Sequence, residues 1–203
     1  MAQRDKHMFS DKRRRWTPAP AARSLGLCAR LMVATATAAA CVAPAFAQTL
    51  EVPMYRVDTS GAGEAIGTIT ITVAAGRVVF TPTLAGLPPG LHGFHLHEKP
   101  SCDPAMDPEK SSMLPAQAAG GHLDPGKSGR HEGPMGDGHL GDLPALRVDN
   151  DGRATTPVVA PRLKMADLKG HALMVHAGGD NYSDKPEKLG GGGERIACGV
   201  IGS

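Results

Sequence analysis

Apolar and polar side chains alternate with a period of two over much of this chain, and that period predicts strands. IGTITITV (66–73) alternates cleanly and ends near a turn at Ala74-Ala75-Gly76. RVVFTPTL (77–84) reads as the return strand, and LEVPMYRVD (50–58) as a strand before both. After the turn Leu87-Pro88-Pro89-Gly90, the run LHGFHLHEKP (91–100) begins another. Strand-like runs resume at 145–149 (ALRVD) and 153–160 (RATTPVVA), joined by Asn150-Asp151-Gly152. Two more lie at 171–176 (HALMVH) and 195–201 (RIACGVI). No stretch carries the spacing of a long amphipathic helix, and residues 165–169 have room for one short turn. Several short strands separated by turns predict an all-β sandwich or barrel.

The pattern stops between residues 99 and 144, where Gly, Pro, Asp, His and Ser dominate. A loop that long inside a small domain points to function or disorder. A second polar loop occupies 177–194. Composition agrees: 26 Gly and 17 Pro with 3% aromatic residues suit short strands and long ordered loops. There is no internal repeat.

The first 47 residues read differently. Lys12, Arg13, Arg14 and Arg15 form a basic start, an apolar run covers 25–42 with Arg30 inside it, and Ala45-Phe46-Ala47 fits a cleavage pattern. This is the arrangement of a secretory signal peptide, with residues 48–203 as the mature domain. Arg30 leaves too short an apolar stretch for a membrane span, so none is expected in the mature form. The arginine run lacks the residues that usually follow a twin-arginine pair. Ala39-Ala40-Cys41 distantly resembles a lipoprotein box without its leucine, so the export route and lipidation at Cys41 stay open. Residues 1–47 carry 8 of the 22 basic and 2 of the 20 acidic residues, so the mature part has 14 and 18, a formal net charge of −4. A nucleic-acid partner thereby loses its main electrostatic support. Cys28 and Cys41 leave with the leader. Cys102 and Cys198 remain, an even count in a chain bound for an oxidising compartment, and one disulfide is expected.

Eight of the nine histidines lie in the mature part. His122, His131, His139 and Asp142 share the long loop, and three imidazoles with one carboxylate make the closed set that zinc prefers. By strand alternation His95 and His97 share one face, while Phe94 and Leu96 share the other. His92 has the parity of Phe94 and is turned away from the pair, which makes it a bracing residue. His171 and His176 also have opposite parity, and His176, at the strand end beside a polar loop, is the one expected to face the site. An all-imidazole site of His95, His97 and His176 suits copper. A fourth ligand could come from the long loop if one imidazole were shared between two ions.

GLHGFHLHE, AGGHLDP, RHEGP, GHLGDLPAL, HALMVHAGGDNYSD and GGGGERIACGVIG, in this order, resemble the copper,zinc superoxide dismutase family in its bacterial exported form. The resemblance covers residues 50–203. It implies an eight-stranded Greek-key β-sandwich or flattened barrel with two long functional loops. It implies copper held by His95, His97, His122 and His176, and zinc held by His122, His131, His139 and Asp142. His122 would bridge the two as an imidazolate. Asp180 would join a copper histidine to a zinc histidine through their free ring nitrogens. Arg195 would orient superoxide, Cys102 would pair with Cys198, and Lys185 and Lys188 are candidates for steering the anion. The implied activity is dismutation of superoxide to dioxygen and hydrogen peroxide, with His122 releasing copper and taking a proton. An exported copper/zinc-binding protein without turnover is the competing reading, but neither Arg195 nor a copper ligand is missing. Periplasmic location follows from the leader. The oligomeric state is left open between a monomer and a homodimer.

Residues 99–121 contain an insertion, EKPSCDPAMDPEKSSMLPAQ, closer to bacterial members than to animal ones. The Gly190–Gly193 run lacks the Lys-Ser/Thr of a phosphate loop. Asn181-Tyr182-Ser183 matches a glycosylation acceptor by chance.

Overall fold

Strand β1 (Leu50–Asp58) pairs antiparallel with β2 (Gly61–Ala74), and β2 with β3 (Arg77–Leu84). The computed structural model describes residues 48–107 and 111–202, so the expected leader lies outside the described residues. The remaining strands are β4 (Gly90–His92), β5 (Phe94–His97), β6 (Ala105–Asp107), β7 (Ser112–Leu114), β8 (Leu146–Val148), β9 (Val158–Ala160), β10 (Ala172–His176) and β11 (Arg195–Val200). Seven of them form one antiparallel sheet in the order β5-β10-β11-β1-β2-β3-β9. β4 pairs with β8, and β6 with β7.

The chain leaves β3 near one end of this sheet and re-enters it at the opposite edge as β5, which gives the Greek-key path. The sheet curls on itself. Phe80 of β3 and Phe94 of β5 meet edge to face with ring centroids 5.7 Å apart, although four strands separate them in the sheet. Around them Ile69, Ile71, Leu96, Leu146, Leu173 and Val175 form the inner core. Each such side chain contributes about 1.5–3 kcal/mol through burial. With β4 and β5 taken as halves of one run, and the β6–β7 hairpin set apart, the strands of the described residues number eight, in agreement with the expected class.

Four local expectations change. β2 starts at Gly61 rather than 66, because the apolar-poor GAGEA stretch pairs with the end of β1 across two register shifts. The run 153–160 shortens to Val158–Ala160, with Ala154 making one isolated bridge to Leu84. Pro157 has no N–H to offer a ladder there. The loop 99–144 holds the unforeseen β6–β7 hairpin, whose paired Met106 and Met113 are both exposed and leave no alternation to read. Lastly, the run from 91 breaks at Gly93. Its N–H donates to the Gly178 carbonyl and its carbonyl accepts from the His176 N–H, both at 2.8 Å. A Cβ on Gly93 would lie 3.0 Å from the His95 ring, so a side chain would crowd this crossing.

On the outer face of the sheet, Val57, Ala172, Met174 and Cys198 form a small second cluster with Ala116 and Ala119 of the long loop. The Cys102–Cys198 disulfide joins the start of that loop to β11 across 96 residues. The chain-entropy relation gives such a closure about 4–5 kcal/mol. Replacing both cysteines by serine is therefore expected to lower urea-unfolding stability by up to about 4–5 kcal/mol. A loss below about 1 kcal/mol would show that this loop is held by packing alone.

Candidate metal centre

Edge strand β5 organises the site. Its register against β10 sets Leu96 beside Leu173 and Phe94 beside Val175 in the core, and turns His95 and His97 outward. His176 has the same parity as Ala172 and Met174 on β10, so it faces the same side. The free edge of β5 is paired by the long loop. The Leu96 N–H donates to the Gly141 carbonyl at 2.9 Å, and the Leu96 carbonyl accepts from the Leu123 N–H at 2.8 Å. Backbone bridges then set Asp142 opposite His95 and His122 opposite His97. Gly141 permits this approach, since a Cβ there would come 2.2 Å from the Leu96 carbonyl oxygen.

The ligand atoms of His95, His97, His122 and His176 lie within 4.8 Å of one another, and all four residues are buried. A second set, His95, His122, His131 and Asp142, meets the same spacing. His139 stands beside it, with Nδ1 3.4 Å from Asp142 Oδ1. The other distances to this carboxylate are 2.9 Å from His122 Nδ1 and 3.0 Å from His131 Nδ1. The His131 and His139 approaches lack hydrogen-bond direction and leave both Nδ1 atoms unpartnered. Donors at the corners of a zinc tetrahedron with bonds near 2 Å sit about 3.3 Å apart, close to these separations, so the group could hold an ion.

The outer nitrogens are fixed. Asp180 joins two rings, with His95 Nε2 on Oδ2 and His131 Nε2 on Oδ1, both at 2.8 Å. His97 Nδ1 donates to the Gly120 carbonyl at 3.0 Å, and His176 Nδ1 to the Gly193 carbonyl at 3.1 Å. Each bond assigns the ring proton and leaves the opposite nitrogen as a lone pair. The atoms left buried and unpartnered are His95 Nδ1 and the Nε2 atoms of His97, His122 and His176. His92 belongs to neither set. Its Nδ1 lies 2.8 Å from the His176 carbonyl and its Nε2 2.8 Å from that of Pro88. His171 also stands apart, its Nδ1 donating to the Glu98 carbonyl at 2.8 Å.

A cavity of about 660 Å³ opens onto this cluster, lined by His97, His122, His176, Arg195, Leu114 and Glu194 among others. Arg195 donates to the Ala116 and Gly120 carbonyls, each at 2.6 Å. The loop tied down by the disulfide thus holds the arginine. Burial lowers the guanidinium to about 10, which still leaves it cationic at neutral pH. Lys185 and Lys188 are exposed and do not line the cavity.

Sequence reasoning missed two charged residues that hold the loop. Asp184 accepts from the His131 N–H, and Arg162 donates to the Gly138 and His139 carbonyls. The position of Asp184 four residues after Asp180 was a usable hint; nothing in the sequence marks Arg162.

Charge follows burial. Desolvation holds His95, His97 and His176 below the ordinary imidazole range, and lowers His122 to about 3 despite Asp142 beside it. Burial also disfavours a charged His131, but the Asp142 and Asp180 carboxylates against its two ring nitrogens win and raise it to about 9. Burial alone would raise Asp142 and Asp180, yet their imidazole partners hold both below the usual carboxylate range.

Residues 65–201 match the sequence model of the family described as copper/zinc superoxide dismutase. The chain is 59% identical over 152 residues to the Escherichia coli K12 protein named "Superoxide dismutase [Cu-Zn]", covering 74% of this chain and 87% of that one. Among solved structures it resembles the Cu/Zn superoxide dismutase from Brucella abortus, with 52% identity, a TM-score of 0.73 and coverage of 76% and 99%. It also resembles the monomeric copper, zinc superoxide dismutase from Salmonella enterica, with 56% identity, a TM-score of 0.68 and the same coverage. The chain belongs to the copper/zinc superoxide dismutase family.

The four lowered histidines make the metal-free protein acid-sensitive. Below the unfolded value of 6.5 the unfolded chain binds protons that the folded chain refuses, so stability falls as pH falls. His131 does not offset this below 6.5, where it is protonated in both states; its contribution is lost only as pH rises towards 9. Urea unfolding of the chelator-treated protein between pH 6 and pH 4 should show a loss of up to about 1.4 kcal/mol per pH unit for each refused proton. A flat profile over that range would mean that these rings titrate normally.

Proposed function

We propose that this chain dismutates superoxide, turning two superoxide ions and two protons into dioxygen and hydrogen peroxide. The observation that carries this reading is the set of four unpartnered imidazole nitrogens beside a cavity that also contains a pinned arginine. Copper would be held by His95 Nδ1 and by the Nε2 atoms of His97, His122 and His176. Zinc would be held by the Nδ1 atoms of His122, His131 and His139 and by Asp142. His139 is preferred to His95 in the second set because Asp180 takes His95 Nε2 and leaves that ring one free nitrogen. When bound, copper supplies a one-electron cycle and zinc a fixed positive charge.

The protein's own groups do the rest. His122 has Nδ1 in the Asp142 set and Nε2 in the other, so it alone can serve both. Its Nε2 holds a proton in one half of the cycle and yields it in the other. Asp180 keeps His95 and His131 in the tautomers that present Nδ1. Arg195 is the positive charge on the cavity wall that orients a small anion. His92 braces the carbonyls of His176 and Pro88 and holds β4 against the end of β10.

Export to the periplasm completes the reading, supported by the leader pattern in residues 1–47 and by the bacterial relatives. Among the described residues no helix is long and apolar enough to cross a membrane. A homodimer remains the alternative to a monomer, the state named for the Salmonella relative.

Metal analysis paired with a dismutation assay tests the proposal. The purified protein should carry copper and zinc in equal amounts and remove superoxide, and Arg195→Ala should slow it at least about tenfold and flatten its dependence on ionic strength. Full loading with both metals and no turnover would leave a binding protein instead.

A further inference from the structure

Two loop histidines of the Asp142 set, His131 and His139, sit on a segment with almost no regular structure. Residues 124–141 contribute no strand or helix. Within this segment Asp124 closes a local turn, accepting from the Ser128 hydroxyl and, at 2.8 Å, from the Gly129 N–H. That turn does not touch the backbone of either histidine. Locally the His139 N–H donates to the Arg130 carbonyl at 2.9 Å and the His139 carbonyl accepts from the Asp142 N–H at 3.4 Å, while the His131 N–H has no backbone partner, so groups outside the loop must help hold these two backbones where their rings reach Asp142.

Two charged side chains from distant parts of the chain do so. Asp184, in the loop between β10 and β11, spends one oxygen on each of two loops. Its Oδ2 accepts from the His131 N–H at 2.9 Å, and its Oδ1 from the Leu189 N–H at 3.0 Å. Leu189 lines the cavity. Arg162, just after β9, works from the other side. It donates through Nη1 to the Gly138 carbonyl at 3.1 Å and through Nη2 to the His139 carbonyl. Its Nε is buried and unpartnered, so this arginine is in place for those two carbonyls and gains nothing from a third contact. One clamp therefore grips an N–H of the loop and the other its carbonyls. Hydrogen bonds to charged groups are roughly twice as strong as neutral ones.

We infer that Asp184 and Arg162 are positioning residues that pre-form the zinc site by fixing the backbones of His131 and His139, with Asp184 also joining that site to the cavity wall at Leu189. This rests on the assignment of zinc to His122, His131, His139 and Asp142. Neither residue belongs to a ligand cluster, so its effect passes through the histidines. Asparagine at 184 would keep one acceptor oxygen and turn an amide N–H₂ towards a backbone N–H. Methionine at 162 would keep the stem and lose both donors.

The test is zinc release from the metal-loaded holoprotein into excess chelator, for wild type, Asp184→Asn, Arg162→Met and the control Asp124→Asn. Groups that support ligands from behind commonly change metal affinity 10–100-fold. Asp184→Asn and Arg162→Met should each release zinc about tenfold faster or more. Asp124→Asn should stay within about twofold of wild type, because its turn leaves both histidine backbones alone. Cobalt(II) placed in the zinc site gives a second reading: both clamp variants should alter the visible spectrum of the tetrahedral ion, a change that lost stability alone would not cause. Arg162→Lys, which keeps the charge but offers a single nitrogen in place of the two-nitrogen fork, should fall between wild type and Arg162→Met. Release at the wild-type rate with an unaltered cobalt spectrum would overturn the clamp while leaving the zinc assignment standing. A wild-type protein that binds no zinc would overturn both.

Discussion

Among the described residues, six buried imidazole nitrogens without hydrogen-bond partners are the constraint on which the structure turns. Each would cost about 1–3 kcal/mol if left unmet in the folded state. The cost is concentrated in one place, since all six belong to residues of the two ligand-like clusters or to His139 beside them. A fold that gathers lone pairs in this way gains stability when cations satisfy them. In the proposed reading, metal binding is therefore part of folding stability as well as of chemistry.

The scaffold meets this demand by leaving one sheet edge for its loops to use. β5 is paired with β10 on one side, and on the other with loop residues near Leu123 and Gly141. Two short backbone bridges are enough to set His122 and Asp142 against His97 and His95. The core side of β5 is filled by Phe94 and Leu96, so the strand cannot slip by one residue without burying its histidines in the barrel. The disulfide fastens the same loop to β11, and Arg195 at the start of β11 grips that loop by two carbonyls. Packing, covalent closure and charge placement thus meet on one short stretch of chain.

Much of this was legible in residue order. The strand-like runs matched β1 and β3 to the residue and β10 and β11 to within one; β1 and β3 bury one face, whereas β10 is an apolar run buried throughout. The histidine parities on β5 and β10 follow from strand alternation. Other features were not legible, for physical reasons. The break at Gly93 comes from a crossing with residues more than eighty positions away, which no local pattern carries. His92 stands apart from the cluster partly through that break, so parity alone was an incomplete reason. The β6–β7 hairpin buries too little apolar surface to leave a period, and the grip of Asp184 and Arg162 exists only once distant loops have met.

The central claim is that one side chain, His122, serves two ions through its two ring nitrogens. Crystals of the copper- and zinc-loaded protein, with diffraction recorded at the absorption edges of both metals, test it directly. The account predicts a copper peak at Nε2 of His122 and a zinc peak at its Nδ1, each at about 2 Å. Two peaks with His122 bound to only one of them, or one peak shared by both metals, would contradict it.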